Sequence, residues 1–399
     1  MKPLKQGNIT SPLGFKTNAL CCGIKRKKQD LALIYSITQA RAAGVFTTNR
    51  IKAAPVKIDI KSLKQNKAQA IIVNSGNANC CTGKTGYADA QKIVRVLAKD
   101  LDLKPNDVLI ASTGVIGKYL PLNKILNNIP GLVKGLGFNK ADKTALAIMT
   151  TDTYPKQLAV EIKLNGKKVT IAAVAKGAGM ICPNMATMLC FITTDVHISS
   201  AGLKAALAEA VDDSFNCISV DGQMSTNDTV IILANGLALN KQIKNKGKEY
   251  RVFTKALKFL CLQLAKMIIE DAEGATKMIQ VSITRARSKK EAKQAAGAIA
   301  NSALVKTMIA GENPNWGRIP ASLGQADISF KEEKIKISLQ KKVVYQNAKP
   351  VLPDKDVLIP LLKKKQVNID VDLNNGDYSH TVWTADLTAE YVRINTEYS

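Results

Sequence analysis

Residues 158–195 read LAVEIKLNGKKVTIAAVAKGAGMICPNMATMLCFITTD, and this stretch decides the fold class. Leu158–Leu164 alternates apolar and polar side chains, Asn165-Gly166 is the dipeptide favoured by two-residue hairpin turns, and Val169–Ala175 returns as the partner strand. The returning strand enters a loop punctuated by glycine and by the turn-prone pair Pro183-Asn184, after which Met188–Thr193 reads as a further strand. Hairpins join antiparallel neighbours, so a purely parallel sheet is excluded and layered α+β architecture is expected.

Working outward, residues 69–73 (QAIIV) read as a buried strand ending in the polar loop NSGNAN, and Tyr87–Leu101 carries helical apolar spacing. A strand at Val108–Ala111 then runs into STGVIG. Downstream, Ser199 or Ser200 caps a helix over 201–214, residues 229–234 (TVIILA) are strand, and 249–271 forms the longest amphipathic helix. Met278–Thr284 reads as strand and 288–302 as helix, and from Ala326 onward the pattern turns to β alternation. The chain is expected to end in a hairpin, VNIDVDL and YSHTVWTADL around the turn Asn374-Asn375-Gly376-Asp377. Mixed and antiparallel sheets layered with helices are therefore predicted, without internal repeats or a low-complexity linker.

Composition bounds the function. At 399 residues with 46% apolar and 22% charged side chains, this is a globular chain with room for large cores, which excludes disordered and collagen-like classes. No apolar run reaches the roughly 18–20 residues of a membrane span and the start lacks an apolar leader, so a cytoplasmic protein is expected, without membrane partners. Eight cysteines occur without CxxC or His/Cys spacing and read as reduced thiols, not metal ligands. The net charge of +25 suggests nucleic acid, but only nine of the 57 basic residues are arginine, they are scattered, and aromatics are 5%. Base stacking and guanine readout require the opposite balance. A basic nucleic-acid-binding protein is kept only as the alternative of another class.

Two nucleotide signals fail on spacing. Gly76 and the GKT at 83–85 are separated by six residues where a phosphate loop has four, and the glycine run at 177 and 179 meets Cys182 where a dinucleotide fingerprint has its third glycine. The chain has only His197 and His380, neither in a recognisable nucleophile motif, so a serine–histidine triad is disfavoured. An N-terminal threonine solves the missing base: its α-amino group, with a reference pKa of roughly 7.7–8.0, takes the hydroxyl proton near neutrality. That chemistry needs a new N-terminus inside the chain, and residues 176–195 are the candidate segment, although by local pattern alone Thr187, at the entry to the strand MLCFI, reads as an ordinary strand-edge residue.

The segment KGAGMICPNMATML (176–189) resembles the signature of the ornithine acetyltransferase family, the glutamate N-acetyltransferases of the cyclic arginine pathway. The likeness continues through AAGVFTTNRIKAAPV (42–56), IIVNSGNAN (71–79), STGVIG (112–117) and AIMTTDTYPK (147–156). It resumes in SFNCISVDG (214–222), STNDTVIILANG (225–236), EGATK (273–277), LVKTMIAGENPNWGRI (304–319) and DLTAEYVRIN (386–395).

The resemblance implies an N-terminal-nucleophile-like, self-processing enzyme cut between Ala186 and Thr187. An N-terminal fragment 1–186 would carry the oxyanion hole, and a fragment 187–399 would begin with the nucleophile, its core part about 187–280 and a smaller C-terminal domain about 281–399. Thr113 and Gly114 inherit the oxyanion hole, and Thr153, Lys176, Thr187, Glu273, Asn395 and Ser399 the substrate contacts. Acetyl passes from N-acetylornithine to Thr187 and then to glutamate, without metal or organic cofactor. Some family members also accept acetyl-CoA as donor, and nothing in these residues separates the two kinds. The fragments are expected to associate as a heterotetramer of two of each. A self-processing amidohydrolase or aminopeptidase, in which water resolves the acyl-enzyme, is the competing enzyme reading. Three departures mark this chain: Cys182 where many relatives have histidine, Gln223-Met224 after VDG, and a C-terminus one residue short, which leaves two readings, Ser399 supplying the terminal hydroxyl in shifted register or that contact missing.

Overall fold

The computed structural model describes residues 1–182, 188–351 and 355–397. They form two compact units. The first is built of residues 1–177, 188–216 and 224–268, and the second of 178–182, 217–223 and the remainder from 269.

The first unit is organised by a nine-stranded sheet. Its strands are β1 (Lys2–Pro3), β2 (Phe15–Leu20), β3 (Leu31–Phe46), β4 (Lys67–Asn77), β5 (Val108–Val115), β6 (Lys156–Leu164), β7 (Lys167–Lys176) and β8 (Leu189–Thr194), with β10 (Thr229–Ala234) following β9 (Ile218–Ser219) of the other unit. The order is β1-β6-β7-β8-β10-β3-β4-β5, with β2 also paired to β3. Only β8/β10 and β4/β5 run parallel. The expected hairpin is β6–β7, with Asn165 and Gly166 both at positive φ (48° and 78°) as a type I′ turn requires.

Period-two alternation gives this sheet two apolar faces. Ala70, Ile72, Val108 and Ile110 face α1 (Ala54–Ser62), α2 (Gly83–Asp100) and α3 (Leu122–Lys134). Ile71, Val73, Leu109 and Phe191 share the opposite core with α4 (Ala141–Ile148). The GKT triplet opens α2. Ser199 caps α5 (Ser200–Asp212) by accepting from the Gly202 N–H, and the expected long helix is α6 (Lys248–Glu270).

One expected loop is strand. β4 continues through NSG to Asn77, because its polar side chains find partners inside the protein. Asn74 accepts from the Ser112 hydroxyl at 2.5 Å and donates to Asn77 O at 2.9 Å, so polarity there marks a buried network and not a solvated turn.

The second unit holds a seven-stranded sheet. Its members are β9, β11 (Met278–Ala286), β12 (Lys336–Leu339), β13 (Lys342–Gln346), β14 (Lys349–Pro350), β15 (Gln366–Asp372) and β16 (Tyr378–Ala385), in the order β14-β13-β12-β15-β11-β16-β9. The core joins Ile279, Val281 and Ile283 to α7 (Lys289–Ala300), α8 (Ala303–Ala310), α9 (Arg318–Leu323) and α10 (Lys355–Leu362), and α11 (Ala389–Glu397) ends the described chain. The last four of these helices, α8 to α11, lie where only β alternation or no element is expected from sequence.

The terminal hairpin is corrected: β15 and β16 do not pair with each other, because β11 lies between them, parallel to β15 and antiparallel to β16. The turn reverses the chain as its residues dictate, but it arches over the end of β11, with Leu373 N–H on Thr284 O (3.0 Å) and Asn375 N–H on Arg285 O (2.8 Å). Turn chemistry sets where a chain reverses, whereas the partner is set by the apolar face that completes the core; Ile279, Val281 and Ile283 are fully buried.

Candidate active site

In the first unit the site grows from the end of β5. Gly114 sits at φ 133°, and a Cβ there would lie 2.3 Å from Gly76 C and 2.5 Å from Asn77 N, so the close β4–β5 contact admits only glycine. Asn227 braces this turn by donating to Ala78 O (2.6 Å) and Ser112 O (2.8 Å).

Lys176, the last residue of β7, is 3% exposed and donates to Thr113 Oγ1 at 3.4 Å. It stands opposite Leu189 in the β7–β8 ladder, two residues beyond Thr187. The sheet thereby joins one oxyanion candidate to one substrate-contact candidate beside the expected nucleophile's strand. Thr187 itself, with Ala186 and Pro183-Asn184, lies outside the described residues, as does Ser399.

Thr153 is exposed, and its neighbour Asp152 is buried. Asp152 accepts from Lys156 Nζ (2.8 Å), Gly177 N–H (2.7 Å) and Thr150 N–H (3.0 Å). Burial alone would raise its carboxyl, but Lys176 and Lys156 outweigh burial and hold it at about 2. Asp152 is thus an anion wedged between two buried ammonium groups. It ties the start of KGAG to the turn that carries Thr153.

Asp228, in STND, is 1% exposed, and its Oδ1 accepts the Met188 N–H at 3.1 Å. Burial pushes this carboxyl well above the usual carboxylate range, against the pull of the Met188 N–H. It anchors the residue that follows Thr187.

In the second unit, Glu273 and Asn395 are brought together: Asn395 Nδ2 donates to Glu273 Oε2 at 2.9 Å. The Glu273 carboxylate lies 2.3 Å from where a Gly179 side chain would begin, so that loop needs its glycine. Asp221 accepts the Met180 N–H (2.6 Å), the Ile181 N–H (3.0 Å) and the Tyr391 hydroxyl (3.1 Å), fixing the approach to Cys182. Tyr391 and Asn395 lie one turn apart on α11. His380 meets Cys217, Nε2 to Sγ 3.8 Å, a spatial pair that no motif announces.

Asp152, Asp228 and Asp221 were not singled out by sequence reasoning. The available signal was a carboxyl set among small or apolar residues inside a matched block, with Asp152 four residues from Lys156. Among the described residues no His, Cys, Asp and Glu cluster of metal-binding type occurs, and no helix is long and apolar enough to cross a membrane.

A sequence profile of the ArgJ family matches residues 16–399. The arginine biosynthesis bifunctional protein ArgJ of Caldanaerobacter subterraneus subsp. tengcongensis is 45% identical over 396 residues, covering 98% of each chain. The protein of the same name from Oceanobacillus iheyensis is 44% identical over 398 residues, covering 99% of this chain and 97% of its own. A crystal structure of arginine biosynthesis bifunctional protein ArgJ from Bacillus halodurans, 42% identical, covers 46% of this chain and 97% of its own with a TM-score of 0.45.

Proposed function

The chain belongs to the ArgJ family, and from that premise we propose its reaction: an acyltransferase of arginine biosynthesis, it moves the acetyl group of N-acetylornithine to glutamate, giving ornithine and N-acetylglutamate. The observation that carries this reading is the Thr113–Lys176 contact of 3.4 Å, with Lys176 paired across the ladder to Leu189 at the head of the nucleophile's strand.

The chain first cuts itself. Thr187 Oγ attacks the Ala186 carbonyl, the Ala186–Thr187 C–N bond breaks with the hydroxyl proton passing to nitrogen, which frees the α-amine and leaves an ester, and water hydrolyses that ester to the Ala186 carboxylate and the free Thr187 hydroxyl. That amine then takes the Thr187 hydroxyl proton as Oγ attacks the acetyl carbonyl of N-acetylornithine. The acetyl C–N bond breaks, ornithine leaves with the proton on its amine, and the amine of glutamate attacks the acetyl ester in the second half-reaction. Each half passes through an oxyanion, for which Thr113 and Gly114 are the donors, each worth about 2.7–4 kcal/mol.

Thr153, Lys176, Glu273, Asn395 and Ser399 hold the substrates, lysine and glutamate suiting an amino acid that bears both charges. The reaction so written needs no metal or organic cofactor. Use of acetyl-CoA as a second donor follows the bifunctional naming of the relatives. The enzyme acts in the cytoplasm, as a heterotetramer of two copies of each fragment.

The test is a denaturing intact-mass spectrum after incubation with N-acetylornithine and no glutamate. Two fragments meeting at Ala186–Thr187, the second heavier by one acetyl group, are expected. Thr187→Ala should stay one unacetylated chain. An intact, unmodified wild-type chain would refute the mechanism. Acetyl-CoA with glutamate, scored for N-acetylglutamate, decides the second activity.

A further inference from the structure

Lys25 lies in the short segment between β2 and β3, outside every motif quoted above. That segment is rigidly held, because the Asp30 carboxylate accepts the backbone N–H groups of Cys22 (2.7 Å), Gly23 (3.1 Å), Ile24 (2.6 Å) and Lys25 (2.9 Å). The Lys25 side chain is half-buried and its stem lies over Gly76, where an added Cβ would approach Lys25 Cγ to 2.9 Å. Gly76 is the backbone against which Gly114 packs.

The tip of Lys25 reaches in the other direction. Nζ donates to Met149 O at 3.0 Å and to Ala147 O at 3.4 Å, and the same Ala147 carbonyl accepts the Ser75 hydroxyl. Residues 147–149 lead directly into the turn that carries Asp152 and Thr153. Asp152 holds Gly177, next to Lys176, and Lys176 reaches Thr113. Contacts and chain neighbours together close a ring: Gly114, Gly76, Lys25, Met149 with Thr150, Asp152, Gly177 with Lys176, Thr113.

We propose that Lys25 is a positioning residue of the acetyl-transfer site, its ammonium clamping the 147–153 turn to the oxyanion turn and adding positive charge beside Asp152 and Lys176. The proposal rests on the acetyl-transfer reading above. A clamp that sets the relative position of oxyanion donors and substrate turn acts on the rate, since a displacement of about 1 Å is enough for a 10²-fold loss. Its charge also adds to that of Lys176, whose Nζ reaches Thr113 Oγ1, in favouring the developing oxyanion.

The charged groups around Lys25 make the clamp sensitive to pH. Burial lowers its ammonium to about 8, with Lys28 and Lys176 acting in the same direction and Asp30 and Asp152 opposing. The folded clamp is charged below that pH and loses its charge as pH rises through it. The Thr187 α-amine works on the opposite limb, because its deprotonation activates the nucleophile.

The test compares wild type, Lys25→Met, Lys25→Arg and the exposed control Lys28→Met in transfer from N-acetylornithine to glutamate between pH 6.5 and 10, with thermal melts alongside. Lys25→Met should lower kcat about 10- to 100-fold, with a smaller change in KM and the alkaline limb gone. Lys25→Arg should keep most of kcat and move the alkaline fall up in pH, while Lys28→Met keeps the wild-type kcat and moves the fall only slightly upward, since one lowering charge is gone. Wild-type kcat in Lys25→Met, or an alkaline limb left in place by Lys25→Arg, would overturn the proposal. If Lys25→Met fails to fold, the position of the Lys25→Arg limb decides alone. Absence of transfer by the wild-type chain would overturn the proposed function itself, an outcome distinct from active wild type with indifferent variants.

Discussion

Replacing Asp152 by asparagine tests the electrostatics at the heart of the first unit. Asp152 and Lys156 form an ion pair of 2.8 Å whose side chains are both fully buried. A carboxyl held at about 2 instead of its usual 3.8 contributes roughly 2 kcal/mol to folding at neutral pH. Asparagine also deprives a buried ammonium of its carboxylate, which raises the expected loss to about 3–5 kcal/mol, tempered by the Tyr154 ring 4.9 Å from Lys156 Nζ. The double variant Asp152→Asn/Lys156→Met should recover much of that loss, because the buried charge leaves with its partner. Because the folded carboxyl is depressed, its contribution is fully present above the unfolded value and is lost as pH falls from about 4 towards 2. The assay is urea denaturation of an uncleaved Thr187→Ala background. Far-UV circular dichroism reports both units, and tryptophan fluorescence reports only the second, since the two tryptophans are Trp316 and Trp383. A circular dichroism midpoint unmoved by Asp152→Asn, or losses in the two single variants that simply add in the double, would refute this account.

Thr113→Ala should slow both self-cleavage and transfer by about 10²–10³-fold, beyond the modest stability cost of taking one acceptor from buried Lys176; equal rates would remove Thr113 from the oxyanion hole. Asp228→Leu takes away the acceptor of the buried Met188 N–H and should cost about 1–3 kcal/mol and slow cleavage, whereas Asp228→Asn, which keeps an acceptor oxygen, should be nearly silent by gel and by melt; the reverse order would show that the charge matters and not the bond. After cleavage the fragments should share one size-exclusion peak at neutral pH and separate only in denaturant. The reason is that β8 and β10 of the second fragment sit between β7 and β3 of the first, and two peaks in native buffer would contradict it.

Local chemistry was legible wherever neighbours in sequence are neighbours in space. TVIILA is strand over Thr229–Ala234 as expected, Asn165-Gly166 turns β6 into β7, and the long helix falls within one residue of its expected ends at Lys248–Glu270. The sixteen residues of β3, Leu31–Phe46, were not anticipated, because the polar and small run SITQARAAG breaks the alternation and the strand is irregular between Tyr35 and Ala40. NSG was read as a loop for the same reason: its polarity serves Ser112 and Asn77 inside the protein.

The site divides in the same way. Thr113, Gly114, Thr153, Lys176, Glu273 and Asn395 were named from motif resemblance, which carries residue types at fixed spacings along the chain. By itself the sequence determined the α+β class, the hairpin and the family, since periodicity, turn residues and ordered motifs are properties of the chain. Only the tertiary structure decided that β11 separates β15 from β16, that Asp152 is an anion between two ammonium groups, and that Lys25 reaches Met149. Burial and pairing depend on which distant segments pack together, and residues 25 and 149 acquire a relation only when the chain between them has folded into sheet and helix.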